Sequence, residues 1–142
     1  MGFCLLHGSG LKFGPFFLDA GGRVTQFTYR ELLERKVFPL MREKLGVNRF
    51  RRTIWQQDGA KPHQARMVLE WLDSVFETRM LALKSLRGDS WAPYFPDCNS
   101  CDFFLWGYLK ERVYHPLPTN LAALKRKIKS EFERIPEVMV IK

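Results

Sequence analysis

Two acidic residues stand where a side chain could meet a ligand rather than a core. Asp58 follows Thr53-Ile54-Trp55-Gln56-Gln57, whose β-branched and aromatic residues predict a strand, and Gly59-Ala60-Lys61-Pro62 turns the chain away behind it. Strand ends of open α/β sheets are where ligands and reacting groups sit, because side chains there point into a crevice. Asp102 opens Asp102-Phe103-Phe104-Leu105-Trp106-Gly107, the start of a predicted aromatic-rich helix. Each acid also has a plainer reading. Asp58 can serve an Asp-Gly turn by bonding local N–H groups, and Asp102 can be a helix cap favoured by about 1 kcal/mol. Asp97, in the Pro96-Asp97 turn, has the same bland alternative.

Sulfur and imidazole offer less. Cys98-x-x-Cys101 has the spacing of half a zinc knuckle, but a structural zinc site takes four ligands, and Cys4, His7, His63 and His115 make no second pair at ligand spacing. Two thiols buried under the loop are the simpler expectation. His63, beside Pro62, reads as a structural hydrogen-bonding residue. The basic clusters Arg49, Arg51, Arg52 and Lys125, Arg126, Lys127, Lys129 fit either phosphate contact or a solvated face.

The elements that must position these residues follow from pattern. Gly2 to His7 and Leu11 to Leu18 predict two strands around a Gly8-Ser9-Gly10 turn, with Pro15 at an edge, a bulge or the strand's start. Thr28-x-x-Glu31 has the form of a capping box and predicts a helix from about Thr28 to Leu45, kinked near Pro39. After the Asp58 strand, Pro62 falls near the first position of a second helix whose stripe is Ala65, Val68, Leu69, Leu72 and Phe76. Arg79 to Leu83 predicts another strand. Lys84 to Cys101 reads as a long irregular segment of the kind that carries function more often than not. A helix from Asp102 to about Tyr114 must be largely buried, since its aromatics cover both faces. A last helix starts at Thr119 or Asn120 and carries Leu121, Leu124, Ile128, Phe132 and Ile135. The order predicts one mixed α/β or α+β domain with an antiparallel hairpin at its front.

The chain has 142 residues, enough for one domain with a real core. Its 23 Lys+Arg against 15 Asp+Glu give a net charge of +8, which favours polyanionic partners, nucleic acid first and an acidic membrane surface second. Three cysteines form no disulfide scaffold, no apolar run is long enough to span a bilayer, and the start lacks a basic leader. A soluble intracellular protein without membrane association is the expectation.

Taken together, Gln57-Asp58-Gly59-Ala60-Lys61-Pro62-His63, Pro96-Asp97-Cys98-Asn99 and Asp102-Phe103-Phe104-Leu105-Trp106-Gly107-Tyr108-Leu109-Lys110 resemble the catalytic domain of mariner-type transposases. The resemblance covers nearly the whole chain, because the hairpin and the first helix also come in the right order. It implies a ribonuclease H-like mixed sheet flanked by helices, and DNA strand cleavage and transfer by three acids that hold two Mg²⁺ or Mn²⁺ ions. Of these acids the second matches Asp58 and the third matches Asp102; Asp97 matches a loop residue. The chemistry is consistent, since hard divalent cations take carboxylate oxygens.

The sequence also departs from the pattern. The two acids are separated by 43 residues, more than in the best-known branch, with the extra length in Lys84 to Ser90. Tyr94 and Phe95 replace a small or basic pair, and Ser100 replaces a usual proline in the loop that aims Asp102. The family's first acid lies on a strand that precedes the hairpin and runs through the middle of the sheet. Here Met1 begins at the hairpin, Asp19 matches a later turn, and no helix-turn-helix region precedes it. The expectation is an N-terminally truncated, DNA-binding, nuclear protein, open to homodimer formation, that is inactive alone. The basic residues Arg49, Arg51, Arg52, Lys125, Arg126 and Lys129 are its candidate DNA contacts.

Overall fold

A computed structural model describes residues 2–18, 23–90 and 99–141. Within it the chain divides into two compact units, one made of residues 1–22 with 96–142 and the other of residues 23–95. The fold is mixed α/β, as the pattern predicts, with a two-stranded sheet and a separate three-stranded sheet. No helix among the described residues is long and apolar enough to cross a membrane.

The first unit opens with β1 (Gly2–Leu6) and β2 (Lys12–Phe17), an antiparallel pair turned by the predicted glycine-containing loop. Register slips by one between Phe3↔Phe16 and Leu5↔Phe13, so the ladder carries a bulge at Gly14-Pro15. This satisfies the expectation for Pro15, which has no N–H to give a ladder. Gly14 takes φ 114° there, and a Cβ on it would lie 2.9 Å from the Phe3 carbonyl oxygen. Only glycine accommodates that approach.

The same unit closes with helices. A π turn over Cys101–Leu105 runs directly into α5 (Trp106–Val113), and α6 (Leu121–Arg134) follows. Asn120 is the α6 cap, its side-chain oxygen accepting from the Ala123 N–H at 2.8 Å. The core is Cys4, Leu105, Leu109, Phe132, Ile135 and Val140. The aromatic run only flanks it: Phe104, Trp106 and Tyr108 pack partly buried against it and Phe103 is 64% exposed, while Leu105, Leu109 and Val113 carry the buried stripe. The expectation of a largely buried helix fails because the two leucines and the valine, spaced by four, already cover the core-facing side. A short 3₁₀ turn, Glu137–Met139, then lays Val140 into the core.

In the second unit, α1 (Gln26–Leu32), a π turn over Leu33–Val37 and α2 (Phe38–Leu45) form one continuous helical run. The capping box lies three residues earlier than predicted. Thr25 accepts from the Thr28 N–H at 3.2 Å and Thr28 Oγ1 accepts from the Thr25 N–H at 2.9 Å, while Glu31 pairs with Arg35 instead. The predicted disturbance near Pro39 is real and takes the form of the π turn. Pro39 lacks the N–H that would bond Arg35, and the widened turn just before it absorbs the mismatch, with the Phe38 N–H reaching back to the Leu33 carbonyl.

Beyond Gly46, the basic cluster of Arg49, Arg51 and Arg52 lies on a short helix, α3 (Val47–Arg52), that the sequence pattern did not predict. Phe50 is its buried anchor, and Arg49, Arg51 and Arg52 remain exposed. β3 (Trp55–Gln56) runs parallel to β4 (Met80–Ala82), which in turn pairs in parallel with β5 (Asp89–Ser90). The first residues of the supposed irregular segment thus return as a third strand. Gly88 permits the tight return, since a Cβ there would meet the Met80 carbonyl oxygen at 2.0 Å. α4 (Arg66–Phe76) starts four residues beyond Pro62, which lies in an isolated turn and not at the helix N-terminus. Phe38 is the hub of the core, with ring centroids 5.2 to 5.8 Å from Phe50, Trp55, Trp71 and Phe76.

Candidate functional site

Alternation along β3 decides where Asp58 goes. Thr53, Trp55 and Gln57 are buried, whereas Ile54 and Gln56 are exposed, so the next even position leaves the core. The backbone N–H groups of Trp55 and Gln57 bond the carbonyls of Arg79 and Leu81 at 2.8 and 3.1 Å, which fixes the strand's rotation. Asp58 therefore emerges from the C-terminal end of a parallel strand with its side chain 44% exposed.

Past Asp58 the chain makes a small braced turn. Asp58 Oδ1 accepts from the Ala60 N–H at 3.0 Å and lies 2.5 Å from His63 Nδ1. Since an ionised carboxylate can only accept, His63 Nδ1 carries the proton of this bond. The hydrogen bond from His63 holds the Asp58 carboxyl below its ordinary value, partial burial works against this, and the Ala60 N–H adds to it. Asp58 is thus a carboxylate at neutral pH. The imidazole ring lies against Tyr29, centroids 4.1 Å apart, and only 15% of the side chain is exposed.

Gln57 ties this turn to the core. Its Oε1 accepts from Tyr29 Oη at 2.9 Å and from Trp55 Nε1 at 3.2 Å, and its Nε2 donates to the His63 carbonyl at 3.0 Å. Gln64 Nε2 closes the turn by donating to the Gly59 carbonyl. Burial, followed by the Asp58 charge, raises the Tyr29 hydroxyl well above its usual value, so it stays a donor. Sequence reading missed Gln57 and Tyr29; the only available signal was a glutamine at a core-facing position of an apolar strand.

Asp102 belongs to the other unit. It is exposed and does not make the cap suggested for it: Asn99 does, its Oδ1 accepting from the Cys101 N–H at 3.2 Å. Asn99 Nδ2 donates in return to Asp102 Oδ2 at 2.8 Å, so Asp102 is the reciprocal partner one turn in. Asp97 and Cys98 lie outside the described residues, as does Asp19. Cys101 is half-buried against the core that holds Cys4, and burial, with Cys101 second, pushes the Cys4 thiol up to about 12.

The donor chemistry at Asp58 suits a hard cation that keeps water or phosphate oxygens as its remaining ligands. Among the described residues, however, no three His, Cys, Asp or Glu side chains gather to hold a metal, so a closed protein cage does not fit. Of the candidate phosphate contacts, Arg49, Arg51 and Arg52 lie on α3 in the second unit. Lys125, Arg126 and Lys129 lie on α6 in the first, where Lys125 Nζ sits 5.5 Å from the centre of the Phe17 ring. Charge is not shared evenly, because residues 23–95 carry fourteen of the Lys and Arg against eight acids. No protein-family model matches the chain, and no curated protein matches it.

Proposed function

We propose that this chain derives from the catalytic domain of a mariner-type transposase, a ribonuclease H-like enzyme of DNA cleavage and strand transfer, and that these 142 residues alone do not turn over. The observation that carries the reading is the placement of Asp58. It is an ionised, half-exposed carboxylate at the end of a parallel strand, after a hairpin and a long helix and before a helix and a second parallel strand. Asp102 then falls in the first turn of a later helix, where the resemblance expects the third acid.

The parallel pairing of β3 with β4 and of β4 with β5, behind the strand end that carries Asp58, supports the same reading. The resemblance gives the holding of divalent ions to the acids that Asp58 and Asp102 match; such ions, when bound, activate the attacking oxygen and stabilise the leaving one. Within these residues the resemblance supplies two acids of three, and the chain's own contribution is to hold Asp58 ionised and oriented.

Supercoiled plasmid incubated with the purified chain and Mg²⁺ or Mn²⁺ tests this: it should remain intact. Nicking that disappears in Asp58→Ala would show that the chain is a working nuclease.

A second reading, a nuclear DNA-binding module without catalysis, is favoured by α3, whose three exposed arginines make no ion pair among the described residues. It expects sequence-tolerant DNA affinity that falls with salt and weakens when Arg49, Arg51 and Arg52 become alanine together. Salt-independent affinity would exclude it. A homodimer is compatible with either reading, and equilibrium sedimentation decides it.

A further inference from the structure

We propose that His63 is the positioning residue for Asp58: its Nδ1–H holds Oδ1 and leaves Oδ2 as the oxygen presented to a divalent cation. The metal half of this inference rests on the reading of Asp58 above, whereas the positioning half stands on geometry alone. Both bonds that Asp58 accepts among the described residues, from the Ala60 N–H and from His63 Nδ1, fall on Oδ1. A carboxylate on a bare Asp-Gly turn rotates; one gripped at one oxygen from two directions presents the other in a fixed place.

The imidazole is in turn held. One face lies on the Tyr29 ring, 4.1 Å between centroids, and its backbone carbonyl is tied to the core by Gln57 Nε2 at 3.0 Å. Tyr29 and Trp55 both donate to Gln57 Oε1, so the brace runs from two buried aromatics through one glutamine and one histidine to the acid. Isolated helix or turn formation needs none of this. Residues that orient a metal-binding carboxylate or histidine commonly change metal affinity by about 10–100-fold when removed.

Three variants separate the roles. His63→Phe keeps a ring against Tyr29 but has no N–H, His63→Gln has its amide too far along the side chain to replace Nδ1, and His63→Asn puts an amide N–H near the Nδ1 position. Folding of each is checked by thermal melting. Carboxyl ¹³C NMR on the metal-free chain, with Asp58 assigned through Asp58→Asn, should show its titration midpoint rising in His63→Phe and His63→Gln and returning in His63→Asn. A midpoint that stays in place in the first two overturns the positioning role, whatever metal does.

Mn²⁺ binding followed by electron paramagnetic resonance reads the second half. Affinity should fall about tenfold in His63→Phe, recover in His63→Asn and vanish in Asp58→Asn. Loss in Asp58→Asn with no change in His63→Phe overturns the inference and spares the metal reading. Binding equal in wild type and Asp58→Asn, or absent from both, overturns the metal reading and leaves the NMR result to decide the brace.

Discussion

Replacing Gln57 by methionine is the sharpest test of the interior that supports Asp58. The side chains are close in volume, so the change removes polar atoms with little cavity. Tyr29 Oη and Trp55 Nε1 lose the acceptor they share at 2.9 and 3.2 Å, and both residues are at least 98% buried. Each buried donor left without this partner costs about 1–3 kcal/mol. Two of them give about 4 kcal/mol, reduced to about 3 by roughly 1 kcal/mol of added apolar burial.

The lost bond to the His63 carbonyl adds little, because that turn lies at the surface. The expected result is a urea transition displaced by about 3 kcal/mol, read from far-UV circular dichroism and tryptophan fluorescence. The sign of a coupling makes the test stricter. Tyr29→Phe should be destabilising in the wild type, where it discards the bond to Gln57, and should cost about 1 kcal/mol less in Gln57→Met, where that bond is already gone. A cost below about 1 kcal/mol for Gln57→Met, or a Tyr29→Phe change that destabilises both backgrounds equally, would refute the account of Gln57 as the hub.

Two further outcomes rest on local geometry. Thr25→Ala should cost about 1 kcal/mol in a denaturant melt, while Glu31→Ala should cost only a few tenths, because the cap is Thr25 with Thr28 and not Thr28 with Glu31. The Cys4 thiol lies well above its ordinary value of 9.0, so the folded state prefers it protonated, and this contribution is present below about pH 9 and lost as pH rises toward 12. Iodoacetamide at pH 8 with mass-spectrometric mapping should then modify the half-buried Cys101 well before Cys4; equal rates would contradict the burial.

Local chemistry was legible in the sequence wherever a short stretch decides its own conformation. The hairpin came from glycines between two apolar runs, the disturbance at Pro39 from a missing N–H, the α6 cap from Asn120 before an apolar repeat. Asp58 at a strand end and Asp102 near a helix start were likewise readable, since strand and helix propensities bracket them. Cap positions slipped by a few residues because Thr25, Thr28 and Asn99 compete with Glu31 and Asp102 as hydrogen-bonding side chains, and only backbone angles choose among them.

Tertiary structure decided the rest. The alternation of β3 acquires a direction only when Trp55 packs against Phe38 and Phe76, and that packing sends Asp58 outward. Gln57 becomes a hub because Tyr29, 28 residues away, arrives within hydrogen-bond distance. His63 meets Asp58 because Pro62 sits in a turn and not in a helix, which folds Nδ1 back onto Oδ1. The sequence by itself determined which residues could carry chemistry, through residue type and local propensity. Which oxygen of Asp58 is held, and by what, depended on contacts between segments that no local pattern specifies.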